Sequence, residues 1–208
     1  MCSQEALSDL LADVDLDVYI NQSVSDYEAQ EKQEGHTCYA HASATVLHLT
    51  MKRIYGYQYG SRFYFFQNRI PTFHELKVEM IGHFGKNASS ITKVLEEMCE
   101  KYRLHYKQVD LRGAMEAVAS SRPVIATFKL TRDEWGKFKE FFETNGKGVL
   151  TRKEIDISAR PWNTPKRLGH AVVLTSFNSE YLRLLNSGGP NWAEIGRASC
   201  RERVCQYV

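Results

Sequence analysis

Apolar residues recur at helical spacing from Tyr39 to Ile54, where Ala40, Ala44, Leu47 and Met51 share a face and no Pro or Gly intervenes. This pattern predicts a helix that begins at Cys38 and is ended by Gly56 and Gly60, with the aromatic cluster Tyr55 to Phe66 packed around its end. Pro71-Thr72 opens a second helical pattern through Phe73, Leu76, Met80 and Ile81. A polar loop from Gly85 to Ser90 follows, and Ser90 is placed to cap a third helix over Ile91 to Tyr102. Beyond that point the period changes. Alternation from Leu104 to Val109 predicts a strand, Arg112 to Ser120 a short helix, and the apolar run Pro123 to Phe128 a buried strand. Trp135, Phe138, Phe141 and Phe142 form one face of a further helix and are read as core. Residues 1 to 32 are acidic and polar, with a short extended apolar piece around Val18 to Ile20. Helices first and strands after Leu104 describe an α+β protein.

The chain has 208 residues, enough for one domain or for two lobes sharing a cleft. Its hydrophobic content of 43% and charged content of 25% are ordinary for a globular protein. A net charge of +2 with no basic stripe gives no reason to expect nucleic acid as a partner. No apolar run approaches the roughly 18 residues needed to span a bilayer, so no membrane segment is expected. The given N-terminus lacks a basic n-region, so no secretory signal is expected in it. The five cysteines, an odd number without pattern, argue against a disulfide framework and point to an intracellular compartment. A longer N-terminus would reopen a lysosomal or secreted destination. Asn21 and Asn87 begin glycosylation triplets of a kind common by chance.

Candidate chemistry centres on Q-E-G-H-T-C-Y-A, Gln33 to Ala40. A helix starting at Cys38 sets the sulfur over unpaired backbone N–H groups at the positive end of the helix dipole, which lowers a thiol pKa and favours the nucleophilic thiolate. His36 and His41 flank Cys38, but no Cys-x-x-Cys or His-x₃-His framework accompanies them, so no metal site is expected.

These residues resemble the papain-like cysteine peptidases. That family carries a Gln, then Gly, then Cys-(Trp/Tyr)-Ala at the start of a long central helix, matched here by Gln33, Gly35, Cys38, Tyr39 and Ala40. G-H-A-V-V-L-T-S-F at Gly169 to Phe177 resembles the family's strand bearing the base, His170, and L-R-L-L-N-S at Leu182 to Ser187 the strand delivering Asn186. Gly148, Val149 and Leu150 are similar to its short Gly-Ile return, and the basic segment from Thr151 to Leu168, with Pro161 and Pro165, reads as an exposed loop. Both separations, Cys38 to His170 and His170 to Asn186, suit the family's architecture. The resemblance implies a helical lobe over residues 33–103 and an antiparallel β-barrel lobe over 104–193, incomplete because its final strands are expected to be missing, within a C-terminally truncated peptidase domain spanning 1–193. It also implies peptide or protein substrates and no cofactor. Cys38 would be the nucleophile, His170 the general acid and base, Asn186 the residue that orients the imidazole, and Gln33 an oxyanion donor.

Four departures qualify the match. Gln33 stands five residues before Cys38 where the family has six. Asn87, Ala88 and Ser89 replace its Gly-Gly pair. Gly188 stands where the family has a Trp covering the His–Asn contact, while Trp192 matches a second Trp of that motif. Finally, Glu194 to Val204 resembles the translation of a sequencing-library adapter, so residues 194–208 are expected to be a non-native tail. The stretch before Cys38 is too short for the inhibitory pro-segment of many family members, so the expectation is either a chain without one or a sequence that begins inside a longer protein. Two other readings remain open: an inactive papain-like module that binds peptide or protein, and a ubiquitin-like protein hydrolase or transglutaminase-type acyl transferase.

Overall fold

The computed structural model describes residues 14–15, 32–59, 69–145, 148–156, 167–178, 181–188, 197–200 and 206–207. In chain order the elements are β1 (Val14–Asp15), α1 (Cys38–Tyr59), α2 (Phe73–Phe84), α3 (Ile91–Tyr102), α4 (Leu111–Ala119), β2 (Val124–Leu130), α5 (Arg132–Thr144), β3 (Val149–Leu150), β4 (Leu168–Phe177), β5 (Leu182–Leu185), β6 (Arg197–Cys200) and β7 (Gln206–Tyr207). The architecture is α+β. No described helix is long and apolar enough to cross a membrane.

Helix α1 is the axis of the molecule. From Cys38 to Thr45 every residue is buried, as are Leu47, His48, Leu49 and Met51, so its first half is enclosed on all sides. It packs against α2 and α3 on one side and against β4 on the other. Contrary to the sequence reading, Gly56 does not end it. A Cβ at Gly56 would meet nothing within 4 Å, and the rings of Tyr55 and Tyr59, one turn apart, lie 5.6 Å from each other. Such a pair offsets part of the roughly 1 kcal/mol that a mid-helix glycine costs. Gly60 and residues 61–66 of the aromatic cluster lie outside the described residues, as do Val18 to Ile20.

Local signals set the other helix starts. Thr72 and Glu75 form a reciprocal capping box at α2, and Thr131 and Glu134 do the same at α5. Asp110 caps α4 by accepting from the Gly113 N–H at 2.8 Å. Ser90 occupies the cap position of α3 but makes no side-chain cap bond. The strand expected over Leu104 to Val109 is absent. Leu104 and Val109 pack on the core while residues 105–108 are exposed, so burial there lacks a two-residue period and no strand pairs with the segment.

The strands run in the order β3-β6-β5-β4-β2-β7, with β1 also paired to β4. All pairings are antiparallel except β3 with β6. Among the described residues this is an open sheet and no barrel is closed, because its end strands, β3 and β7, are two residues each and do not pair with one another. Central β4 is buried continuously from Ala171 to Phe177, covered by α1 and α4. In the seven-residue register between β2 and β4, Phe128 stands opposite His170.

Candidate active site

The turn before α1 is shaped by contacts with the loop between α2 and α3. Gly35 adopts φ +64°, and a Cβ there would stand 3.4 Å from the Lys86 carbonyl, which accepts the His36 N–H at 3.2 Å. The Thr37 hydroxyl donates back to the Glu34 carbonyl at 2.9 Å, and the Thr37 carbonyl accepts from Ala40 and His41, opening the helix. The Tyr39 hydroxyl donates to the Gly85 carbonyl, fastening the same loop from inside. In that loop Ala88 holds φ +62°, so the backbone takes a left-handed shape where the family's Gly-Gly pair would have taken it freely.

Cys38 therefore occupies the first helical residue, 9% exposed. Burial pushes its thiol pKa up, and the backbone N–H groups of Ala171, Tyr39 and Cys38 pull the other way. The expected N–H cradle is in place, but for the thiolate taken alone desolvation outweighs it. The effect of Ala171 also places β4 near Cys38, one residue from His170.

The His170 Nε2 lies 2.6 Å from Asn186 Oδ1. The same amide oxygen accepts the Ser187 N–H at 2.9 Å. A backbone N–H can only donate, so the shared atom is the oxygen, and Nε2 must carry the proton. Nδ1 is thereby left as the basic nitrogen. Burial pushes the imidazole pKa down from 6.5 to about 4, with the Asn186 bond acting in the opposite direction. Aromatic rings supply much of that burial. Trp135 meets the imidazole at 5.1 Å and 89°, and Phe128 meets it at 5.4 Å and 68°.

Gln33 is clasped to the residue after Asn186. Its backbone N–H donates to the Ser187 carbonyl at 2.9 Å, its side-chain oxygen accepts the Ser187 hydroxyl, and its Nε2 donates to the Gly35 carbonyl at 3.0 Å. One amide N–H is left for another acceptor. All four residues singled out from the sequence thus gather where the N-terminus of α1 meets β4 and the end of β5. Gly188 adds no ring here, and Trp192 lies outside the described residues. Among the described residues no three His, Cys, Asp or Glu side chains are grouped to hold a metal ion.

No protein-family model matches this chain, and neither does any curated protein sequence. Solved structures do match. Xylellain, a cysteine protease from Xylella fastidiosa, superimposes with a TM-score of 0.52 at 15% sequence identity, over 93% of this chain and 82% of that one. The chain shares the fold of a cysteine protease. At that identity the likeness speaks for the fold alone.

Sequence reading assigned Trp135 to the core and passed over Phe128 and Ser187 as site residues. Phe128 was within reach, because a predicted antiparallel partner for the His170 strand places some residue opposite the imidazole. Trp135 was not, since its contact depends on how α5 lies across β2.

Proposed function

We propose that this protein is a cysteine peptidase of the papain type, its helical part and a barrel-like sheet part meeting at one cleft. The observation that carries this reading is the Asn186 oxygen shared by Ser187 N–H and His170 Nε2, which leaves a basic Nδ1 one residue from Ala171, whose N–H lowers the Cys38 thiol pKa. In this reading His170 takes the Cys38 proton, and the sulfur attacks a peptide carbonyl. The tetrahedral oxyanion is met by the Cys38 N–H and the Gln33 amide. One such donor contributes about 2.7–4 kcal/mol to the transition state. The imidazolium then protonates the leaving amine, and His170 afterwards deprotonates the water that hydrolyses the thioester. Asn186 holds the ring in the required tautomer throughout. No cofactor is needed.

The test is a peptidyl electrophile followed by mass spectrometry, together with turnover of fluorogenic peptides. The expected result is a single adduct on Cys38 and cleavage lowered about 10²–10⁴-fold by His170→Ala. Labelling by a ubiquitin-like electrophile but not a peptidyl one would transfer the reading to isopeptide chemistry. Burial of the Cys38 thiol favours one rival, an inactive module that holds peptide in the same cleft. Peptide binding with neither adduct nor turnover would establish that rival.

A further inference from the structure

Tyr39 follows the nucleophile directly and acts at two places. Its backbone N–H lowers the Cys38 thiol pKa, while its side chain reaches the end of α2. The residue is 1% exposed, and its ring meets Phe84 edge-on with centroids 6.3 Å apart. The hydroxyl donates to the Gly85 carbonyl, with the Met80 carbonyl a longer second acceptor at 3.4 Å. Gly85 ends α2 at φ +82° and ψ 177°, so the bond is made where the chain leaves the helix for the loop 85–90. Burial, and after it the charge of Cys38, push the phenol pKa above its ordinary value, which keeps the group a donor at neutral pH.

The same loop is tied a second time, by the Lys86 carbonyl accepting the His36 N–H at 3.2 Å. The two ties fall two residues before Cys38 and one residue after it. The ion pair of Lys86 with Glu34, at 3.5 Å, is exposed and adds little. Of the two ties, one is backbone to backbone and the other depends on a single side-chain oxygen. Beyond them Asn87, Ala88 and Ser90 are exposed. Helix α1 packs against α2 and α3 on one side and against β4 on the other. A peptide crossing the end of α1 at Cys38 therefore has this loop on one bank and the His170 strand on the other.

We propose that Tyr39 is a positioning residue for peptide substrates, its hydroxyl holding the loop 85–90 at a set distance from the Cys38 sulfur. The proposal rests on the peptidase reading and adds to it a side chain that acts only through Gly85. A loop that contacts the peptide equally before and in the transition state changes KM and leaves kcat alone. A merely structural loss would lower the amount of competent protein, and with it kcat.

The test compares the intact chain with Tyr39→Phe on fluorogenic peptides, with iodoacetamide alkylation of Cys38 as the small-reagent control. Tyr39→Phe should raise KM by about 2–10-fold, the worth of one hydrogen bond, with kcat and the alkylation rate within about twofold of the intact chain. Should Tyr39→Phe fail to fold, Gly85→Ala decides. Its Cβ meets open space, but φ +82° resists an L-residue, so it displaces the loop from the loop's own side and should raise KM in the same way. If the intact chain binds peptide without cutting it, the dissociation constant of the peptide takes the place of KM. If it neither binds nor cuts peptide, the peptidase reading falls and this proposal with it. A chain that engages peptide, with KM unmoved by the substitution or the loss carried by kcat, would overturn this proposal alone.

Discussion

At the scale of single residues, the imidazole of His170 is the most perturbed group of the site. Two rings meet it at steep angles and one amide oxygen fixes its proton. Burial places its pKa near 4 as long as no thiolate compensates the charge. In Cys38→Ala that condition holds by construction, so an NMR titration should find the His170 ring neutral down to about pH 4. The unfolded chain takes up this proton near 6.5, so between the two values it binds more protons than the folded one. The variant should therefore keep full stability above pH 6.5 and lose up to about 3 kcal/mol as pH falls from there to 4. A titration near 6.5 would show that the aromatic cover is open to water. Trp135→Leu provides the graded case: removing one ring should move the titration part of the way back toward 6.5.

At the scale of elements, backbone conformation leads to a pair of stability predictions of different origin. Gly56 lies inside α1 with open space around its missing Cβ. Gly56→Ala should raise stability by about 0.5–1 kcal/mol in urea unfolding, since it removes only unfolded-state freedom. Ala88 is the converse, an L-residue at φ +62°. Relief of about 1–2 kcal/mol on Ala88→Gly, less the entropy glycine adds to the unfolded chain, should leave a gain of up to about 1 kcal/mol. The sequence was most legible where a local rule and the core agree. Thr72 with Glu75, and the apolar spacing from Ile91 to Met98, mark α2 and α3 directly. It misled at Gly56, where two tyrosines and a surrounding fold outweigh one residue's propensity. It misled again at Leu104 to Val109, where alternation without a partner strand yields a segment that packs on the core through Leu104 and Val109. Propensity is a local quantity, and strand formation is not.

At the scale of the whole molecule, the site exists only because two parts of the fold touch. Cys38 is delivered by the helices, and His170 and Asn186 by the sheet, with Gln33 clasped to Ser187 across the interval between them. The ordered motifs around Cys38, His170 and Asn186 allow that convergence to be read from the sequence. The electrostatics of the meeting point are not legible there, because they depend on how much water each group loses. A lone thiolate and a lone imidazolium are both disfavoured by burial. In the proposed mechanism a proton passed from one to the other creates both charges at once, so that their mutual attraction offsets desolvation that neither could bear singly. The pH dependence of Cys38 alkylation measures this balance. In the intact chain, reactivity should persist as a plateau well below the free-thiol pKa of about 8.5 and end where the thiolate of the pair takes up a proton. In His170→Ala only the uncompensated thiol remains, held above its ordinary pKa by burial, so the reactive form should emerge only in alkaline solution. If the two profiles coincide, Cys38 and His170 do not share a proton, and the proposed peptidase chemistry fails.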